Sequence, residues 1–371
     1  MEQPEHKLYK RADPKDADAC CWAFTNDTTF EKYYYKHPPL EDDQVRLRII
    51  YSGLCMSDPK TGRSKWGEVT HPICAGHEII GEVVAIGKDV TGFELGETCA
   101  YGPFRDGCRK CEWCKSGWAH ACVNLPLDYK LLYNHYFGGY STHIQQPAFT
   151  CYKLPKNLDL TKAAPLLCAG ITVYLPLSLH VKKGQRVAIY GIGGLGHLAV
   201  QFAKAMGAEV HAFTGTKNKE DLCKKLGADR VVLWDDFYKN NSEYEYQYDV
   251  ILNTLPVWQS EERINMWIKS LKPYGKLLLV GIPSANDKML LDSRMLIWDH
   301  KTVFGSLVGG RKHTEEMLQF AADHNIECMV EHYGWEEFPK ALDKLENGRP
   351  FFRGVVKVDE VSKQFQARSK Q

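Results

Sequence analysis

The spacing of apolar and polar positions changes character near Pro155. Before that point the chain runs in short β-like stretches broken by glycine. QVRLRIIYSG (44–53) and EIIGEVVAIG (78–87) are the clearest, followed by turn signals at Asp89 and Gly92. No helix-period segment interrupts them, which predicts an irregular antiparallel β domain. After Pro155 the rhythm alternates. KNLDLTKAAPLLCAGITVYLPL (156–177) has the length and apolar spacing of a helix. Residues 186–190 read as a short buried strand. Leu195, Leu198, Ala199, Phe202, Ala203 and Met206 then fall on one helix face, and 209–213 form a second strand. That is a βαβ unit. Further strands are predicted at 230–233, 249–253, 276–281 and 302–307, with helices at 219–226 and 261–271. Strands alternating with helices predict an α/β, parallel, doubly wound sheet. Helices at 314–324 and 335–347 and a strand at 354–358 follow, and 364–371 reads as a frayed polar tail.

The 371 residues exceed one ordinary core and predict two domains. A net charge of +1 indicates neither a nucleic-acid field nor an acidic tail. No run approaches the length of a membrane span, and the polar first twenty residues lack the apolar core of a signal peptide. A cytoplasmic location is the expectation, so the 13 cysteines point to metal ligands and buried thiols, not disulfides. Cys20, Cys21, Cys74, Cys99, Cys151, Cys223 and Cys328 have no ligand spacing and read as buried or surface thiols.

Cys108, Cys111, Cys114 and Cys122 do have it: C-x2-C-x2-C-x7-C. Four thiolates within fifteen residues suit a closed tetrahedral zinc site that stabilises a lobe without performing chemistry. An iron–sulfur run would end in a shorter gap followed by proline; here the gap is seven residues and Val123 follows. The remaining alternative is four unrelated thiols in a loop.

Gly191, Gly193, Gly194, Leu195 and Gly196 fit G-x-G-x-x-G at the turn between strand and helix, the context that makes this pattern credible as a dinucleotide site. Gly191 would allow the tight turn, Gly193 the approach of a pyrophosphate, and Gly196 close packing of helix on strand. At the end of the second strand stand Thr214, Gly215, Thr216, Lys217, Asn218 and Lys219, with no acid before Glu220. Hydroxyls and cations there favour NADP over NAD. The alternative is that the lysines, Lys217 above all, are solvated helix-start residues.

Two further fragments look like ligands. Cys55, Met56, Ser57 and Asp58 follow Gly53-Leu54, and His77 precedes Glu78. Taken alone, each is more often structural. A third thiol, Cys168, lies in APLLCAGITVY. Two cysteines and a histidine suit an open catalytic zinc site.

The order G-x-C-x-[ST]-D, GHE, C-x2-C-x2-C-x7-C, APLLCAGITVY and GIGGLGH resembles the zinc-dependent medium-chain alcohol dehydrogenases. APLLCAGITVY with GIGGLGHLAVQFAKAMGA is most similar to the cinnamyl alcohol dehydrogenase branch. The resemblance runs from about residue 44 to 358. It implies a GroES-like irregular β-barrel catalytic domain at 1–165 with a zinc lobe near 100–125, a Rossmann domain at 166–306, and a return to the catalytic domain at 307–371. It implies that Cys55, His77 and Cys168 hold the catalytic zinc, with Glu78 beside it, Ser57 as proton relay and Asp58 orienting His77. Thr172, Gly281 and Ile282 would approach the nicotinamide, and Trp118, Leu307 and Val308 would line an apolar substrate pocket. The implied activity is hydride transfer between NADP(H) and an aromatic or medium-to-long apolar alcohol or aldehyde. Two zinc ions per chain and a homodimer are implied with it. Apolar Leu307 and Val308 argue against a polyol, and the ligand set against a quinone reductase or a catalytically lost scaffold. Two positions depart from the family: Met56, and Lys60 where many members place a relay histidine.

Overall fold

A computed structural model describes residues 8–126, 136–256, 259–283, 287–348 and 352–368. The chain divides into two compact units. The first comprises 1–168, 309–322 and 327–371; the second 169–308 and 323–326.

The first unit opens with an antiparallel pair, β1 (Ala19–Phe24) and β2 (Phe30–Tyr35). The long β3 (Gln44–Leu54) then pairs with β4 (Ile79–Ile86), followed by β5 (Thr98–Tyr101), β6 (His143–Pro147) and β7 (Cys151–Lys153). The second unit contributes β8 (Arg186–Tyr190), β9 (Glu209–Thr214), β10 (Arg230–Leu233), β11 (Tyr248–Asn253), β12 (Leu271–Leu279) and β13 (Thr302–Gly305). The chain ends in the first unit with β14 (Val330–Gly334) and β15 (Arg353–Lys357).

The larger sheet of the first unit runs β14-β15-β3-β4-β5-β7, with β6 also on β3. Two register shifts along the β3–β4 ladder bend it. Its core gathers Val45, Leu47, Ile49, Ile79 and Val83 from that ladder with Tyr35, Phe137 and Phe338. The sheet of the second unit is parallel throughout, in the order β10-β9-β8-β11-β12-β13. Counted from β8 that is 3-2-1-4-5-6, the doubly wound order, with its switch point between β8 and β11.

Several elements differ from expectation. A short helix, Ser57–Gly62, interrupts the β-rich first hundred residues. Segment 156–177 is not one helix: a turn at Leu160–Ala163 and a 3₁₀ segment at Ala164–Leu167 precede the helix Ala169–His180. Pro165 enforces that break, since it cannot donate into a continuing helix. β12 starts five residues earlier than predicted and ends before Gly281, and β13 ends before Leu307. The region 335–347 is likewise divided into a 3₁₀ turn, a helix (Phe338–Asp343) and a wide final turn. The predicted tail is ordered as far as it is described: Asp359–Arg368 is a helix that buries Phe365 and whose Ser362 donates to the Ile49 carbonyl. Polar composition hid the contacts that dock it, which include the Arg48–Asp359 ion pair and the hydrogen bond between Gln366 and His143. Residues 369–371 lie outside the described residues.

Candidate active site

β3 delivers its last residues, Gly53 and Leu54, into a turn that presents Cys55, and β4 starts immediately after His77 and Glu78. Cys55, His77, Glu78 and Cys168 meet there, each with one potential ligand atom within 4.8 Å of all the others. The four lie in the first unit. Asp58 organises them. Its buried carboxylate accepts from the Cys55 amide (3.0 Å), the Gly76 amide (2.9 Å), the Tyr140 hydroxyl (2.8 Å) and His77 Nδ1 (2.8 Å). A carboxylate at Nδ1 fixes the tautomer and leaves Nε2 as the ligand atom. Ser57 Oγ lies 3.1 Å from Cys55 Sγ and 3.5 Å from His77 Nε2, half-buried.

Two charges sit behind the ligands. Glu78 is fully buried and pairs directly with Arg353, while its Oε2 has no hydrogen-bond partner. Burial pushes the Glu78 carboxyl up, and the Arg353 guanidinium opposes that push. The Cys168 thiol, donating to Cys55, holds Cys55 well below the usual thiol range, aided by Arg353; the same contact raises Cys168. Two sulfurs sharing one proton, the His77 imidazole beside them and an unpartnered buried carboxylate oxygen together fit a divalent cation that takes soft ligands. Gly53 makes the room, since a Cβ there would collide with the Glu78 carboxylate.

The second cluster is Cys108, Cys111, Cys114 and Cys122. Sulfurs bound to zinc at about 2.3 Å in a tetrahedron stand about 3.8 Å apart. The observed separations are 3.5 Å for Cys111–Cys114 and 3.9 Å for both Cys108–Cys114 and Cys111–Cys122. Amides of Cys108 and Cys111 and the Asn124 side chain donate to these sulfurs. Backbone N–H groups of Lys110 and Cys111 lower Cys108 to about 6. Iron–sulfur ligation and unrelated thiols fit this compact tetrahedron less well. The seven cysteines without ligand spacing are all buried.

In the second unit, Gly191 adopts φ 89° and Gly196 faces the Gly191 carbonyl so closely that a Cβ would collide with it. Gly193 faces open space, where a ligand can approach the backbone. Thr254 Oγ1 ties the loop down by donating to the carbonyls of Tyr190 (2.9 Å) and Gly191 (2.8 Å). The helix Gly196–Ala205 begins at the loop and turns its N-terminus toward it. Thr214 ends β9; Gly215, Thr216 and Lys217 are exposed, whereas Lys219 is half-buried and donates from Nζ to the Ile192 carbonyl at 2.8 Å. Of the two lysines, Lys219 is the one that faces the glycine loop.

Thr172 is buried in the helix Ala169–His180. Gly281 lies past the end of β12 against the Leu255 carbonyl, and Ile282 beside it is exposed. Leu307 is exposed; Val308 is buried with φ 42°, a strained conformation for a β-branched residue. Trp118 packs in the first unit on the His313 ring at 4.3 Å. Met56 is exposed, and the Lys60 ammonium rests over the Trp66 ring at 5.2 Å. Sequence reasoning missed Tyr140 and Arg353. Nothing in the sequence links Tyr140 to Asp58, 82 residues away. Arg353 did leave a signal, a single cation in the apolar run FFRGVV.

Residues 41–156 match the alcohol dehydrogenase GroES-like domain and residues 194–323 the zinc-binding dehydrogenase domain. Alcohol dehydrogenase 9 of Catharanthus roseus is 37% identical over 335 residues, covering 88% of this chain and 90% of that protein. The chain belongs to the zinc-binding alcohol dehydrogenases. A probable mannitol dehydrogenase of Medicago sativa is 33% identical over 91% of this chain and 94% of its own length. Among solved structures, the cinnamyl alcohol dehydrogenase of Helicobacter pylori, complexed with NADP(H), superposes with TM-score 0.81 at 31% identity, covering 92% of this chain and 98% of that one. As a member of the alcohol dehydrogenases of the cinnamyl type, the protein is an oxidoreductase acting on small molecules, and it carries the fold its motifs implied: a GroES-like domain and a Rossmann sheet. Among the described residues no single helix is long and apolar enough to cross a membrane.

Proposed function

We propose that this protein interconverts aromatic or medium-to-long apolar primary alcohols and their aldehydes, using NADP(H) and a zinc ion at Cys55, His77 and Cys168. The observation that carries the reading is the Asp58-anchored cluster, in which His77 Nε2 and two hydrogen-bonded thiols converge on one point. Zinc held there would supply a Lewis acid for a carbonyl oxygen, and the dinucleotide the hydride. The chain's own groups do the rest. Asp58 holds the imidazole in its ligating tautomer. Ser57 Oγ, placed beside both Cys55 and His77, passes the proton to and from the substrate oxygen. Glu78, held by Arg353, stands beside the ligands. Thr214, Thr216 and Lys219 would receive the 2′-phosphate, and Gly191, Gly193, Gly194, Leu195 and Gly196 the pyrophosphate. A second zinc ion at Cys108, Cys111, Cys114 and Cys122 would hold the lobe.

The name of the Medicago sativa relative favours a polyol reading, against which stand the apolar Leu307 and Val308 of the proposed pocket. A homodimer belongs to the same proposal: β13 is an edge strand, and Leu290, Ile297 and Trp298 of the second unit are exposed near it in sequence. The deciding experiment is a set of initial rates for cinnamaldehyde reduction and for mannitol oxidation with zinc-replete protein. Fast cinnamaldehyde reduction supports the proposal. Rates confined to mannitol replace it with the polyol reading, and no rate with either, despite two bound zinc ions, refutes both.

A further inference from the structure

We propose that the second unit carries an anion pocket, separate from the coenzyme loop, that takes a compact dianion of the phosphate or sulfate type. The pocket lies where the parallel strands begin, whereas the glycine loop lies where β8 ends. Arg186, Glu209 and Arg230 are the first residues of β8, β9 and β10, and Tyr248 is the first of β11. Register places Arg186 beside Glu209 and Arg230 beside His211, so these four side chains share one face. They line a cavity of about 390 Å³ with Asp229, Gln247 and Tyr248.

The lining carries two guanidiniums and two carboxylates, and Lys204, from outside it, adds a third cation that engages Asp229. Glu209 is shared by Arg186 (3.0 Å) and His211 Nε2 (3.0 Å). Asp229 is engaged by Lys204 (2.6 Å) and by the Val210 amide. Arg186 donates further to Gln247 at 2.7 Å. Among the described residues Arg230 has no carboxylate partner; it donates to the Tyr244 hydroxyl at 3.2 Å and lies over that ring. The second guanidinium is therefore uncompensated, and an anion bridging Arg186 and Arg230 would supply the missing charge.

His211 adds proton linkage. It lies between Glu209 and the Tyr248 hydroxyl, at 3.0 and 3.1 Å. Burial lowers its pKa, Glu209 opposes this, and Arg186 and Arg230 lower it further. Asp229, just before β10, and Lys204, from the helix Gly196–Ala205, largely neutralise each other. A dianion between the guanidiniums would cancel their effect and raise His211, so binding takes up a proton.

The test uses the holoenzyme saturated with NADP(H), so that the coenzyme site cannot respond to added anion. Sulfate, which does not titrate near neutrality, is added at constant ionic strength. The expected result is a saturable rise in Tm with sulfate and none with chloride. Arg230→Gln should weaken the apparent sulfate affinity at least about tenfold, and Arg230→Lys should restore part of it, with alcohol oxidation unchanged in both. Calorimetry in two buffers of different ionisation enthalpy should show proton uptake near pH 6.5. No rise, an equal rise with chloride, or undiminished sulfate binding by Arg230→Gln would overturn the proposal. Binding without proton uptake would overturn the placement beside His211. Repeating the titration with inorganic phosphate and with glycerol phosphate separates the sources: tighter binding of the ester supports a phosphorylated metabolite, and equal or weaker binding supports the free ion.

Discussion

Asp58 is the residue on which the proposed catalytic cluster depends. Four donors satisfy its carboxylate, and only one of them is a ligand side chain. Asp58→Asn keeps the shape but replaces one oxygen by an N–H₂, which cannot accept from Cys55 or Tyr140. The loss of such an outer partner typically costs about 10–100-fold in metal affinity or activity. Asp58→Asn should therefore lose one zinc ion per chain to a mild chelator while keeping the other; metal content after dialysis measures this, and retention of both would refute the role. Lys60 makes a different case. Its ammonium sits over Trp66, at the position where many family members place a relay histidine, the side chain suited to passing protons near neutrality. Lys60→His should shift the pH–rate profile toward neutral pH, and superimposable profiles would mean that the proton leaves Ser57 by another route. Cys55, His77 and Cys168 were readable as sequence because the ligands carry their own chemistry and sit in short motifs. Tyr140 was not, because its bond to Asp58 spans 82 residues, and the lone cation of FFRGVV names no partner for Arg353 until β15 is paired with β3.

The elements follow the same division. β8 and the helix Gly196–Ala205 were legible to within a residue or two because apolar periodicity and a glycine turn agree there. The short helix Ser57–Gly62 has too few residues for a period, and the last helix shows only Phe365 and Ser362 to the core. That last helix bears on acid stability. His143 on β6 is buried, with Nε2 3.0 Å from Gln366 of the helix and Nδ1 3.1 Å from Thr142. Burial lowers it to about 3, and the neighbouring half-buried His37 is lowered as well. The folded protein thus refuses a proton that the unfolded chain accepts at about 6.5, so stability falls as pH drops below 6.5 and the loss grows until about 3. At pH 5 the single group accounts for about 2 kcal/mol. Thermal melts at pH 7 and pH 5 should show a smaller drop for His143→Gln than for wild type, and equal drops would remove His143 as the cause. The zinc lobe is an element without much core of its own: its buried cluster is Phe104 and Ala119 with the thiols of Cys114 and Cys122. Metal, not apolar burial, must hold it. Cys114→Ser should leave one zinc ion per chain and a lower Tm; a variant that keeps two would refute the four-sulfur site.

At the scale of the whole molecule, the metal cluster belongs to the first unit and the glycine loop to the second. Turnover therefore depends on both, and a variant confined to the coenzyme side should change cofactor choice without touching metal content. Lys219 offers that separation. Residues 214–219 carry no carboxylate to bind a ribose hydroxyl, so the proposed preference for NADP(H) rests on attraction to a 2′-phosphate, and Lys219 is the cation that faces the loop. A charge-assisted hydrogen bond of this kind contributes about 1.5–3 kcal/mol, which is roughly a 10–150-fold preference. Wild-type protein should oxidise NADPH at least about tenfold more efficiently than NADH. In Lys219→Ala that preference should collapse through KM for NADPH, with kcat/KM for NADH and both zinc ions unchanged. Lys217→Ala, altering an exposed residue, should leave the ratio near wild type. If NADH efficiency falls as far as NADPH efficiency, Lys219 acts by holding the loop through the Ile192 carbonyl and not by recognising phosphate. If Lys217→Ala collapses the ratio instead, the recognising cation is the exposed one.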